Sequence, residues 1–118
     1  MSESSGIEVT EPEDRKAVSL ARVVRSRNSA PEGATVRDET GRSHTASTVE
    51  LDSFRLSALR AAVAMALAWG AHSLEAAAVV SEGPLADEDV AVVRELGGAG
   101  TPVLLATPDG TVKEIREA

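Results

Sequence analysis

Residues 51–70, LDSFRLSALRAAVAMALAWG, constrain this 118-residue chain more than any other stretch. Between Leu56 and Trp69 the only polar side chains are Ser57 and Arg60, so a helix here has no stripe to turn to solvent and must be buried. Asp52 or Ser53 can cap its first turn, because a short side-chain oxygen accepts from the orphan N–H groups there, and Gly70 can take the left-handed conformation that ends it. Its alanines favour helix and let neighbouring backbones approach closely. Beside valine-rich strands, such a helix predicts a layered α/β domain with a sheet packed against it. A helix apolar all round also needs cover on its far side, more than so short a chain can supply. A homodimer or homotetramer packed through it is therefore expected, with Trp69 near the contact or at the core edge.

The rest of the chain divides into a flexible tail over residues 1–11, Ser- and Glu-rich with only Ile7 and Val9 to bury, and a single domain over 12–118. Pro12, Glu13 and Asp14 suit the start of a first helix, in which Ala17, Leu20, Ala21 and Val24 recur at helical spacing up to about Asn28. Its other face carries Arg15, Arg22 and Arg25 as a basic stripe. That stripe reads as a solvated face or as salt bridges to an acidic surface, with anion binding as the alternative. Residues 34–38 and 43–49 flank a turn at Gly41 and read as a β-hairpin. After the central helix come a buried strand at 74–80, a helix opened by Asp87, Glu88 and Asp89 and stopped by Gly97-Gly98, a strand at 102–106, a Pro108-Asp109-Gly110 turn, and an edge strand at 111–115. Val90, Val93 and Leu96 face inward on that third helix. The three acids are read as capping and complementing its dipole. The result is a mixed sheet with helices on its faces.

A net charge of −7 and a pI near 4.8 argue against a nucleic-acid binder, whose affinity comes mainly from neutralising phosphates. There is no cysteine, hence no disulfide, no thiolate nucleophile and no thiolate metal site. No run reaches the ~18 apolar residues of a membrane span, and the N-terminus lacks the basic-then-apolar order of a signal peptide. A cytoplasmic protein without membrane contact is expected.

Gly41-Arg42-Ser43-His44-Thr45-Ala46, Thr48-Val49-Glu50, Ser53-Phe54, the alanine-rich helix, Ala77-Val79-Val80, Pro102-Val103-Leu104-Leu105-Ala106 and Pro108-Asp109-Gly110 occur in an order and spacing that resembles the small homo-oligomeric cytidine deaminases. The resemblance implies a three-layer α/β fold with a five-stranded mixed sheet and helices on both faces. It also implies a zinc ion held by three cysteine or histidine ligands, which lowers the pKa of a bound water, and a glutamate that moves the proton. In the family one ligand and that glutamate open the central helix as Cys/His-Ala-Glu. Counting from Ser53-Phe54, that word falls on Leu59-Arg60-Ala61. The second word, Pro-Cys-x-x-Cys, falls on residues 84–90, where Pro84 is followed by Leu85, Ala86, Asp87, Glu88 and Asp89. His44 lies in the second strand and His72 beyond the C-terminal end of the central helix, ~20 Å from its start, so they cannot meet at the old zinc position and read as ordinary, partly exposed histidines. The resemblance therefore identifies a degenerate member, with no metal, no cofactor and no catalytic residue assigned.

Some of the binding side persists. The family's ribose-holding Asn-x-Glu word is matched by Thr48-Val49-Glu50, so Glu50 and Thr48 are candidate ligand contacts, against a capping or surface role for the carboxylate. Phe54 stands where the family has an aromatic residue, as a pocket wall or as core. Arg60, at a helix start, can take a phosphate or carboxylate or pair with a neighbouring acid. The family's phenylalanine loop that approaches the base is replaced by Ala30-Pro31-Glu32-Gly33. Two functions follow: a deaminase-fold structural or interaction subunit without zinc-dependent deamination, or a nucleoside or small-anion binder, or an enzyme of different chemistry, in which Arg55 and Arg60 face Glu50 or an anionic ligand.

Overall fold

The structure, a computed structural model, describes residues 6–118. Helix α1 (Pro12–Arg27) begins with proline in its first turn and Glu11 accepting from the Glu13 N–H, and it places Glu13 and Asp14 at its positive end. Strands β1 (Glu32–Asp38) and β2 (Ser43–Ser47) form the expected antiparallel hairpin, with Gly41 at positive φ in the turn. Strand β5 (Leu74–Ser81) pairs antiparallel with β1 and parallel with β6 (Pro102–Ala106), and β7 (Val112–Glu117) closes the far edge antiparallel to β6. The sheet order is β2-β1-β5-β6-β7, a mixed five-stranded sheet.

Helices cover both faces. On one side α1 packs Ala17, Val18 and Ala21 against Ala78, Val80, Leu104, Ala106 and Val112. On the other, α2 (Ala58–Ala68) and α3 (Asp87–Gly97) pack Leu59, Ala62, Val63, Ala66, Val90 and Val93 against Ala34, Val36, Ala77, Val79, Val103 and Leu105. The alternation along β5 explains its alanine and valine run: both of its faces are covered. Gly33 lets α1 approach β1, since a Cβ there would lie 2.0 Å from the Ala21 carbonyl oxygen. The flexible tail expected over 1–11 falls partly on residues 1–5, outside the described residues; beyond them, the Ile7 N–H donates to the Val112 carbonyl and Val9 packs on the α1 side.

The central helix departs from expectation at its start. Residues 49–56 form a small hairpin, β3 (Val49–Glu50) against β4 (Arg55–Leu56), with Asp52-Ser53 as its loop. Leu51 and Phe54 exchange backbone hydrogen bonds at 2.9 and 3.4 Å across that loop, a geometry in which Asp and Ser serve as turn residues. The helix starts six residues after Asp52, capped by Ser57, whose Oγ accepts from the Arg60 N–H at 3.2 Å. Gly70 takes positive φ just beyond the helix, as expected. Nor is the helix buried all round within one chain: Met65, Leu67 and Trp69 are 39, 53 and 73 % exposed. The acids of α3 do not cap it either, because Ala86 holds the cap position and makes no side-chain hydrogen bond there.

Candidate functional site

The first turns of α2 and α3 meet at one end of the sheet, and the side chains between them define the site. Asp89, buried in the first turn of α3, hydrogen-bonds to Ser57, the cap of α2, with Arg60 as the neighbouring positive charge. Burial pushes the Asp89 carboxyl above its ordinary value, and the Ser57 hydrogen bond and the Arg60 charge offset part of that rise. A second carboxylate reaches the same helix start from β1: Glu32 Oε1 accepts from the Ala58 N–H at 3.3 Å. Thr48 ties Glu32 in place, its Oγ1 accepting from the Glu32 N–H at 3.1 Å while the Thr48 N–H donates to the Glu32 carbonyl at 3.2 Å. Two electropositive helix ends are thus answered by two carboxylates of the chain itself.

Of the residues singled out from the sequence, Thr48 and Arg60 lie in this arrangement. Arg60 is exposed and forms no salt bridge among the described residues, though its charge acts on the neighbouring Asp89. Glu50 and Phe54 lie out on the β3–β4 hairpin. Glu50 is exposed and opposite Arg55 in the register, but Arg55 Nε donates instead to the Leu51 carbonyl at 3.2 Å. Phe54 is 53 % exposed and belongs to neither core cluster. Glu32 and Asp89 were not identified as site residues by sequence reasoning. Asp89 is a first-turn acid, a signal that predicts dipole complementarity, and Glu32 opens a strand; neither position tells that the two converge on Ser57 and Ala58.

The residues at this end do not fit the zinc ion that the family fold implies. Leu59 points into the core at 1 % exposure, Ala61 is buried, and the α3 side offers Leu85, Ala86 and Asp89. Neither thiolate nor imidazole is present among them, whereas a zinc site takes three or four convergent ligands. Among the described residues no group of three or more His, Cys, Asp and Glu side chains could hold a metal ion. The histidines are engaged elsewhere. His44 is buried rather than partly exposed, with Nε2 2.8 Å from Asp38 Oδ2, and the backbone N–H of His72 donates to Glu39. Among the described residues no helix is long and apolar enough to cross a membrane.

A mixed sheet in the order β2-β1-β5-β6-β7, with one helix on one face and two on the other whose first turns meet, defines a three-layer α/β domain of the deaminase type. The family model for cytidine deaminase-like proteins matches residues 10–110, and the chain belongs to that family. Among solved structures it is similar to the cytidine deaminase of Burkholderia pseudomallei, with 25% identity, a TM-score of 0.74, and 86% of this chain and 90% of that one covered. It is also similar to the cytidine deaminase of Mycobacterium leprae (21%, TM-score 0.69, 92% and 94% covered) and that of Mycobacterium tuberculosis (23%, TM-score 0.68, 79% and 85% covered). No curated protein matches it in sequence.

Proposed function

We propose that this chain is a cytidine-deaminase-like subunit without zinc-dependent deamination, serving as a structural or interaction protein that assembles with itself through the outer face of α2. One observation carries the reading: the position that the resemblance assigns to the first metal ligand is occupied by Leu59, whose side chain is part of the hydrophobic core. Arg60 follows it, and a guanidinium beside a zinc ion would repel it. Asp89, bonded to Ser57, lies within the stretch that the resemblance assigns to the other two ligands.

The test combines metal analysis with turnover. Protein expressed with added zinc should carry substoichiometric metal and should convert neither cytidine nor deoxycytidine to the uracil product above background. Stoichiometric zinc or steady turnover would overturn the reading.

The exposed guanidinium of Arg60 at an electropositive helix start supports a second reading, a nucleoside or small-anion binder using Arg60, Glu50, Thr48 and Phe54. A ligand at ~100 times its Kd stabilises a fold by ~2.7 kcal/mol, several degrees for a domain of this size. A thermal shift with cytidine or uridine that is lost in Glu50→Ala would select this second reading, and a flat panel would leave the first.

A further inference from the structure

The basic stripe of α1 is not explained by the site at the α2 and α3 starts, which lies across the sheet from it. Nor is it explained by salt bridges. In a chain with 19 acidic residues, none of Arg15, Arg22 and Arg25 forms an ion pair among the described residues. Arg25 Nε donates to the Pro31 carbonyl at 3.0 Å and Arg22 Nε to the Pro108 carbonyl at 3.2 Å, while Arg15 has no partner among the described residues.

Two of these arginines line a cavity. Residues 6–9 run beside α1 and the start of β7, and the space between them and the Asp109-Gly110 turn has a volume of about 580 Å³, within the ~300–1,000 Å³ of small-molecule sites. Its walls are part apolar, from Ile7, Val9, Val18 and Val112, and Arg15, Ser19 and Arg22 reach it from successive turns of α1. Arg15 and Arg22 are seven residues apart, two helical turns or ~10 Å, so they face the cavity from the same side. The bond from Arg22 Nε to Pro108 holds that guanidinium over the turn and leaves its two terminal nitrogens without a partner among the described residues.

Two acids line the same cavity: Glu8, and Asp109, whose carboxyl the Thr107 hydrogen bond and, to a lesser degree, the Arg22 charge hold below its ordinary value. Asp109 is engaged by its own turn, accepting from Thr107 Oγ1 at 2.5 Å and from the Thr111 N–H at 2.9 Å. Glu8 lies exposed on the 6–9 segment, so one carboxylate of the lining is tied into its turn and the other is solvated, while the Arg15 and Arg22 guanidinium groups keep N–H donors without a partner among the described residues. A second cavity, of about 470 Å³, shares Ser19 and Arg22 and continues along α1 to Arg27.

We propose that the cavity between α1, residues 6–9 and the β6–β7 turn is a binding site for a small amphipathic organic anion, its carboxylate or phosphate held by Arg15 and Arg22 and its apolar body against Ile7, Val9, Val18 and Val112. Two arginines that form no salt bridge among the described residues supply charge-assisted hydrogen bonds for the head group, and the valine and isoleucine wall supplies burial for the rest. The site stands whether or not the fold's other end retains any ligand.

Titration of the full chain, followed by its backbone amide spectrum, tests this with four probes: hexanoate, hexyl phosphate, n-hexanol and inorganic phosphate. At least one organic anion should shift the amides of Ser19, Gly110 and Thr111 saturably, with the tighter of the two identifying the head group. Hexanol and inorganic phosphate should each bind about tenfold more weakly, and Arg15→Gln should weaken the organic anion by about tenfold. The Arg15 side chain is exposed and forms no hydrogen bond or ion pair among the described residues, so an unchanged amide spectrum of the free Arg15→Gln variant outside the cavity shows that it reads binding and not folding. Hexanol binding as tightly as hexanoate, inorganic phosphate as tightly as hexyl phosphate, an unaffected Arg15→Gln, or no saturable shift at these amides would each overturn the proposal.

Discussion

Asp38 is the residue on which the β1–β2 turn depends. Its Oδ1 accepts from the Thr40 N–H at 2.9 Å, the Thr40 hydroxyl at 2.6 Å and the Arg42 N–H at 3.1 Å, and its Oδ2 lies 2.8 Å from His44 Nε2. The His44 and Thr40 side-chain hydrogen bonds hold the carboxyl far below its ordinary value of 3.8. The sign follows from linkage: a carboxylate whose pKa is depressed in the folded state adds stability that is complete above 3.8 and lost as pH falls below it. Asp38→Asn should therefore cost roughly 2 kcal/mol at pH 7, the scale of losing a charged, buried acceptor, and the gap from the parent should narrow as the solution is acidified towards pH ~2. Urea denaturation across that range measures it. A gap that stays constant with pH would show that the loss comes from shape and not from charge. Asp89 acts in the opposite sense, since burial raises its pKa and its ionisation weakens the fold as pH rises through the carboxylate range. Neither residue's environment could be read from the chain: a His six positions from an Asp is unremarkable until the hairpin folds them together.

At the scale of elements, the lesson is in where the central helix begins. Three features of residues 51–70 were legible: that they hold a helix, that its alanines face a sheet, and that Gly70 ends it. The start was not, because Asp52-Ser53 and Ser57 carry the same capping chemistry, and only the pairing of Val49 and Glu50 with Leu56 and Arg55 assigns the first pair to a turn. The absence of cysteine was legible for a different reason: a missing residue type is a fact of composition, independent of geometry. Asp89 was obscured because a carboxylate near a helix start looks the same whether it faces water or a neighbouring helix, and Glu32 because it opens β1, 26 residues before the helix start that it reaches. The two candidate caps give different results on mutation. Ser57→Ala should lose about 1 kcal/mol as a helix cap, and more if the Asp89 carboxylate is left without its donor. Ser53→Ala should stay within about 0.5 kcal/mol as an exposed turn substitution. Chemical denaturation of the two variants distinguishes them, and the reverse ranking would move the helix start back to the hairpin loop.

For the whole molecule, the outer side of α2 is the open question that the fold poses. Met65 and Trp69 are one turn apart on the same ridge with Leu67 exposed nearby, so a surface of Ala64, Met65, Leu67, Ala68 and Trp69 faces out with no charged residue among them. Contiguous apolar surface of this kind marks a contact with another chain more often than a solvated face. The burial expected of this helix from its sequence is thus incomplete in one chain, and under the proposed self-assembly a second copy completes it. Because each copy carries a net charge of −7, assembly brings like charges together, and added salt should strengthen it by screening that repulsion while leaving the apolar contact intact. Light scattering on the gel-filtered protein at micromolar concentration should give a multiple of 12.2 kDa, with Trp69 emission shifted to the blue of a solvated indole. Leu67→Glu combined with Trp69→Glu should yield a monomer whose far-ultraviolet dichroism is unchanged, because both side chains are exposed within one chain. A parent protein that elutes as a monomer at low and high salt alike would show that this face is not a self-interface, and would leave a different chain as the occupant of α2.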